Sequence, residues 1–394
     1  MEQIATITNT VVQEVIGDSV VVNEDLSNIV DVGTAIFNAN AFDAYVKSLI
    51  NHIGKVIFVD RPYSGSAPSV LMDGWEYGSI LEKISSELPI AVENDSWNLV
   101  DGQSYDPNVF VQPKASAKFF NQRTTFEIDR SITERQVKQS FSNAAQLNGF
   151  LSMLLNETEK ALTVRTDALI MRTINNMTVE TILNAFPSST AGTAPVITGK
   201  TAIKAVNLLY LYNQKFGATI TADAALTTPD FIRFAAYTIS LYSDRLTRMS
   251  TMFNVGGMQR FTPRELQHIV YLSEFMRAAD IYLQSNTFHE LYTRLVEGES
   301  VPFWQGSGTD YSFASTGKIM ATPSSQGGQE TPTPVTVTGV LAVMFDRDAL
   351  GVANFDRRVT TQWNAKAEFT NYFFKQDAGY FNDLNENFVV FYCA

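Results

Sequence analysis

Residues 73–110 read DGWEYGSILEKISSELPIAVENDSWNLVDGQSYDPNVF, the centre of a stretch punctuated from end to end by Pro and Gly. Pro62, Gly65, Pro68, Gly74, Gly78, Pro89, Gly102, Pro107 and Pro113 interrupt it. Proline removes a backbone donor and glycine frees the chain to turn, so each interrupts a helix or strand. What remains is a set of short β-like runs, Phe119 to Ile128 among them. Tyr63, Trp75, Tyr77, Trp97, Tyr105 and Phe110 recur with no spacing that would build an interior. A long excursion of this kind inside a domain is functional or disordered.

Its charge is sorted. Eight carboxylates lie between Asp73 and Asp106 (Asp73, Glu76, Glu82, Glu87, Glu93, Asp95, Asp101, Asp106) against one cation, Lys83. From Lys114 to Lys138 the balance reverses, with Lys114, Lys118, Arg123, Arg130, Arg135 and Lys138 against three acids. Two solvated faces would explain this. So would an acidic arm lying across the basic base of a second copy, and the aromatics favour that alternative. The segment cannot bury them alone, and exposed apolar surface of this extent marks contact sites. The predicted inter-subunit contacts are therefore Trp75, Tyr77, Trp97, Tyr105, Phe110, Arg123, Arg130 and Arg135.

On the N-terminal side, residues 1–35 lack periodicity and are expected as an extended arm. Ala41 to Ile50 has apolar residues at helical spacing. Gly54 stops it, and Val56 to Val59 is a strand candidate. On the C-terminal side, Ser131-Ile132-Thr133-Glu134 fits a capping box. A helical pattern follows through Val137, Phe141, Ala144, Leu147, Leu151, Leu154 and Leu155, broken at Gly149 and extending past Leu162 toward Ile174. At 1.5 Å per residue its first part alone spans roughly 45 Å, a spine rather than a compact-enzyme helix. Pro187 to Pro195 is a loop and a boundary. Helices are predicted over Thr201 to Tyr212, Phe231 to Ser243 and Pro263 to Met276. Gly306 to Thr333 forms another loop, after which Val335 to Phe345, Phe369 to Tyr380 and Phe388 to Tyr392 are predicted strands. No internal repeat is visible.

Composition narrows the function. At 394 residues and 45% hydrophobic, the chain can build a sizeable core. Its 41 acidic against 29 basic side chains give a net charge of −12, the reverse of what phosphate backbones attract. The lone cysteine, Cys393, allows no internal disulfide and is expected as a buried, inert thiol, which suits a cytoplasmic assembly site. No basic and apolar leader opens the chain, and no apolar run approaches the ~20 residues that span a bilayer, so a soluble intracellular product is expected.

Catalytic signals are weak. Ala194-Pro195-Val196-Ile197-Thr198-Gly199-Lys200-Thr201 fits a permissive phosphate-loop pattern, and Val340 to Asp346 imitates an apolar strand ending in a metal-holding Asp. A phosphate cradle needs small, permissive residues emerging from a buried strand. This loop follows a Ser/Thr/Pro coil and carries a proline and β-branched residues. A helix start near Gly199 and an ordinary core strand explain both. His289-Glu290 opens like a metalloprotease helix, but Thr293 stands where the second ligand belongs. His52, His268 and His289 with one Cys give no zinc spacing, and read as surface or core residues. Asp346-Arg347-Asp348 reads as a solvated turn. No Gly-x-Ser-x-Gly elbow or dinucleotide-binding glycine fingerprint is present. The sequence offers no catalytic residue, no cofactor and no metal site.

The closing region Phe345-Asp346-Arg347-Asp348-Ala349-Leu350-Gly351-Val352, then Thr361-Gln362-Trp363-Asn364, and Phe369 to Phe374 ahead of Gly379-Tyr380-Phe381, resembles the major capsid proteins of tailed bacteriophages. Phe42 to Phe58 is similar too, and the likeness extends over nearly the whole chain. The resemblance implies an α+β fold of the Hong Kong 97 type with extended loop, spine helix, peripheral domain and axial domain. It places an N-terminal arm at 1–40, the first part of the peripheral domain at 41–62 and the extended loop at 63–125. The peripheral domain with the spine helix follows at 126–186, the axial domain at 187–333 and closing peripheral strands at 334–394. It implies a non-enzymatic shell subunit that tiles with itself as hexamers and pentamers in the virion, assembled in the host cytoplasm. A separate scaffolding protein, a portal and DNA held without sequence specificity on the inner face are the implied partners, with no membrane. A nanocompartment shell protein around enzyme cargo is the alternative of like architecture, and a phosphate-loop nucleotide hydrolase the alternative of another class.

Overall fold

A computed structural model describes residues 9–10, 12–13, 69–72, 81–106, 108, 110–133, 144–187, 194–284, 295–304, 319–321 and 335–394. The helix expected at 41–50, the strand at 56–59, and Trp75, Tyr77, Arg135, His52 and His289 lie outside these residues. In chain order the first strands are β1 (Leu71–Met72), β2 (Leu81–Ser86), β3 (Ala115–Phe120), β4 (Arg123–Thr133) and β5 (Ala205–Asn207). Then come β6 (Gln267–Leu272), β7 (Glu299–Val301), β8 (Ile319–Ala321) and β9 (Val335–Val337). The closing strands are β10 (Val340–Asp346), β11 (Leu350–Asn364), β12 (Phe369–Asn382) and β13 (Phe388–Tyr392). The helices are α1 (Ala144–Ala185), α2 (Leu208–Phe216), α3 (Ala222–Ala225), α4 (Pro229–Leu246) and α5 (Ser273–Gln284).

Strands β10 and β13 are nearly unbroken apolar runs, the signature of strands covered on both faces. Every residue of both is buried. They sit at the centre of a mixed five-stranded sheet of order β5-β13-β10-β6-β7. Strands from both sides of the boundary expected near residue 333 thus share one sheet. A second sheet, β1-β11-β12-β4, is long and half-open, with β11 and β12 paired from Leu350↔Asn382 out to Asn364↔Phe369. The outer half of β11 alternates and then becomes fully exposed.

Helix α1 joins the two sheets, touching β11 and β12 of one and β13 of the other. Its 42 residues reach about 63 Å at 1.5 Å per residue. Leu169, Ile170, Ile174, Met177 and Ile182 enter the same apolar core as Phe345, Phe388 and Phe391. The helix also buries hydroxyls at Thr166, Thr173, Thr178 and Thr181. Each donates back to the carbonyl four residues earlier, which satisfies the hydroxyl inside the helix. Asn175 donates to the Trp304 carbonyl at 2.7 Å, and the fully buried Trp304 indole donates to the Val340 carbonyl at 2.8 Å.

Several local expectations give way to longer-range pairing. Ser131 does not cap the spine. It lies in β4, opposite Asn371, and donates its hydroxyl to the Asn371 side chain at 2.5 Å. The described helix begins at Ala144 and runs past Ile174 to Ala185. Phe119 to Ile128 is two strands, parted at Asn121-Gln122. Thr201 to Tyr212 holds β5 before α2 starts, because buried Asn207 accepts from the Tyr210 N–H and caps the helix there. No helix starts near Gly199. Pro263 to Met276 contains β6, whose last four residues are buried between β10 and β7. Val335 to Phe345 breaks at Gly339, where φ is +80° and an added Cβ would lie 2.2 Å from the Cys393 carbonyl oxygen. Asp346 is buried rather than solvated. It accepts from the Thr262 hydroxyl at 2.7 Å and the Asp348 N–H at 2.9 Å, pinning the turn after β10.

Candidate assembly interface

Strands β2 and β3 form a two-stranded hairpin separate from both large sheets. Beyond it, every described side chain between Glu87 and Lys114 is exposed. More than half of the large apolar side chains left exposed among the described residues lie between Ile84 and Phe119. Trp97 is 94% exposed and Phe110 84%, values no side chain reaches by packing on its own chain. Local hydrogen bonds still shape the tip. The Asn94 side chain accepts from the Ser96 N–H at the start of the Asp95–Trp97 turn, and the Tyr105 hydroxyl accepts from the Val100 N–H at 3.1 Å.

The hairpin is inverted relative to an ordinary surface ribbon. Alternation in β2 turns Lys83 toward the body and Ile84 outward, 70% exposed. In β3, Lys118 and Phe120 face the body while Phe119 points out, 63% exposed. Lys83 and Lys118 are direct cross-strand partners. Two like charges placed opposite one another destabilise a ribbon unless carboxylates intervene.

Carboxylates do intervene. Lys83 Nζ lies 3.0 Å from Asp383 and 2.7 Å from Glu386, and Lys118 Nζ lies 3.0 Å from Asp383. Arg260 Nε reaches Glu386 at 3.2 Å. Both acids belong to the tight turn between β12 and β13 and are buried. Burial opposes the charge on Lys83, yet Glu386 and Asp383 outweigh it and hold its pKa above the usual lysine value. Burial likewise opposes the charge on Asp383. Lys83, the Asn385 N–H and Lys118 outweigh it and hold the carboxyl below its ordinary range. The Phe120 and Phe381 rings, 5.2 Å apart, add an apolar contact at the same root.

The sequence-predicted contacts fall into distinct groups. Trp97, Tyr105 and Phe110 share the exposed tip. Arg123 and Arg130 sit in β4 on the body, the first over the Phe355 ring at 5.7 Å and the second 3.5 Å from Glu157. Sequence reasoning missed Asp383 and Glu386, which no spacing links to Lys83. It also missed the outward pair Ile84 and Phe119, which strict alternation could have shown.

The phosphate-loop match forms no cradle. The Lys200 N–H bonds the Ile197 carbonyl at 3.1 Å and the Lys200 carbonyl accepts from the Tyr392 hydroxyl at 2.7 Å, closing an ordinary turn. No group of three or more metal-ligating side chains gathers among the described residues. His268 stacks on Phe345. Burial pushes the Cys393 thiol up to about 12 and, with Asp223 nearby, keeps it protonated. A surface cavity of about 470 Å³ between α2 and α4 is lined by Tyr212, Phe216, Phe234 and Tyr237 with Lys215 over three of the rings. No described helix is long and apolar enough to cross a membrane.

A body with a continuous core, carrying an arm whose apolar residues face outward, is by class a structural subunit completed by another molecule. Residues 4–392 match the Phi29-like phage major capsid protein family, and the chain belongs to that family. Its role is to build the head shell of the virion by association with its own kind. No curated protein matches the sequence. The structure is similar to a capsid structure of Staphylococcus phage Andhra, at 10% identity and TM-score 0.49 over 85% of this chain and 86% of that one. A capsid structure of Cyanophage P-SCSP1u is similar at 11% identity and TM-score 0.44, over 86% and 92%. A structure from Mycobacterium phage Ogopogo is similar at 12% identity and TM-score 0.42, over 85% and 95%. The family match carries the assignment.

Proposed function

We propose that the β2–β3 arm is the principal contact by which one subunit engages the next in the head shell. The carrying observation is that the arm exposes Ile84, Trp97, Phe110 and Phe119 while Lys83 and Lys118 face its own body. Buried against a neighbour, such side chains contribute on the order of 1.5–3 kcal/mol each. Trp97, Tyr105 and Phe110 are the contacts, with the acidic tip directed to a basic surface of the second copy. Arg123 and Arg130 already have partners within the chain and contribute through that shared surface rather than as free cations.

The wider reading follows the Hong Kong 97-type plan. The extended loop covers about 63–125, the peripheral domain with the spine helix 126–186, and the axial domain 187–333. The closing segment 334–394 supplies strands to both large sheets. The subunit is non-enzymatic, packs as hexamers and pentamers, and assembles in the host cytoplasm with a separate scaffolding protein and a portal. DNA lies on the inner face without sequence recognition, which suits an acidic chain.

The test is electron microscopy of the expressed chain carrying Trp97→Ala and Phe110→Ala, with scaffold supplied. The expected result is a folded subunit that fails to form shells. Normal shells from the double variant would overturn the arm reading.

A further inference from the structure

We infer that Lys83 and Lys118, gripped by Asp383 and Glu386, are positioning residues that hold the arm at the angle assembly requires. This rests on the arm reading above and adds how the arm is aimed.

Three features of the chain support it. The hairpin has two strands and no interior, and a lone two-stranded ribbon is at best marginally stable in water. Its attachment to the body must therefore set its direction. Among the described residues, that attachment gathers three ion pairs beside the single Phe120–Phe381 ring contact. On the body-facing side the lysines at register positions 83 and 118 converge on one turn, residues 383–386. Lys83 also donates to the Asp348 carbonyl at 3.2 Å, so it touches the β10–β11 turn as well as the β12–β13 turn. The hairpin is thus tied to the two turns where the large sheets meet.

The carboxylate side is itself rigid. Asp383 is 2% exposed, its N–H donates to the Ala349 carbonyl at 2.7 Å, and its side chain accepts from the Asn385 N–H at 3.0 Å. Arg260 Nε reaches the same Glu386 oxygen, Oε1, that Lys83 bonds. A fixed pair of acids facing two flexible lysines is a clamp whose geometry is set by the body. An apolar root would have buried the same area without fixing direction, because hydrophobic contact is non-directional. Charge-assisted hydrogen bonds are directional and shorter.

The experiment uses the full-length chain with spin labels at Asn98→Cys on the tip and Lys366→Cys on the β11–β12 turn, both exposed sites. The native thiol, Cys393, is buried and stays unlabelled. Lys83→Gln with Lys118→Gln removes the cations from the arm side and leaves Arg260 on Glu386 and the Asn385 N–H on Asp383, and near-ultraviolet circular dichroism checks that the body keeps its fold. The expected result is a narrow label-to-label distance in the parent, a broad one in the Gln pair, and shell formation slowed by about tenfold. Lys83→Arg with Lys118→Arg restores both. Asp383→Asn is the second variant and broadens the distance in the same way. A narrow distance in the Gln pair, or a broad one with normal assembly, overturns the inference. If Trp97→Ala with Phe110→Ala blocks shells while the Gln pair assembles normally, the clamp falls and the arm contact stands. Normal assembly of the Trp97/Phe110 variant removes the arm contact whatever the labels report.

Discussion

Strands β10 and β13 pair antiparallel with every side chain buried, whereas β2 and β3 pair antiparallel with Ile84 and Phe119 turned to solvent. The backbone ladders are of one kind. The difference lies in what covers them. The core pair has β5 and β6 on its flanks, α1 in contact with β13, and Phe345, Phe388 and Phe391 fully buried. The arm pair has a body on one face, reached through ions, and no cover on the other among the described residues. Side-chain burial rather than backbone hydrogen bonding therefore separates a self-sufficient sheet from a part that needs another molecule.

The comparison breaks if equal truncations on the two pairs have equal effects. Phe391→Ala empties a site at the centre of the five-stranded sheet and should cost about 3–5 kcal/mol of folding stability. Phe119→Ala removes the same atoms from an exposed face and should fall within about 0.5 kcal/mol of the parent. Chemical denaturation of both variants checks this. A loss above about 2 kcal/mol for Phe119→Ala would mean that the arm is covered by its own chain.

Smaller, and confined to the core side, is the effect of Gly339→Val. Gly339 holds φ at +80° in the short link between β9 and β10, with the Cys393 N–H bonded to the Gly339 carbonyl at 2.8 Å. A side chain would be strained by the backbone angle and would meet the Cys393 carbonyl. The expected loss is about 1–3 kcal/mol, read as a lower thermal midpoint with the arm's label distances unchanged. If the arm's distances shift as well, the two regions are coupled more tightly than their separate sheets imply.

What could be read from sequence divides along the same line. The arm was legible because its Pro and Gly interrupt every run and its aromatics have no periodic companions, both local signals. The buried runs at 340–346 and 388–392 were legible because apolar composition over five to seven residues survives any context. The strand Gln267–Leu272 was not. An apolar run covered on both faces has no period of its own, so the neighbouring helix-like spacing absorbed it. Ser131 illustrates the opposite failure: a sound capping signature lost to a strand that pairs with residues 369–371, more than two hundred positions away. The clamp was illegible for the same reason. Lys83 and Asp383 are 300 positions apart, and in a chain with 41 acids no single carboxylate stands out.

The smallest expected effect on global stability, and the sharpest on arm position, comes from acid. Asp383 is held below the ordinary carboxylate value, so its contribution is complete above about pH 4 and is lost as pH falls through its depressed pKa. Lys83 is held above the ordinary lysine value, so its contribution is complete below about pH 10 and lost as pH rises through its raised pKa. The groups facing one another are Lys83, Lys118, Arg260, Asp383 and Glu386, and none of them is a histidine. The tip-to-body distance should therefore stay narrow between about pH 5 and 9 and broaden on the acid side below that window. Near-ultraviolet circular dichroism at each pH separates release of the arm from loss of the core. Broadening centred at about pH 6.5, where imidazole titrates, would place the control in a histidine and remove the carboxylates of the β12–β13 turn from the account.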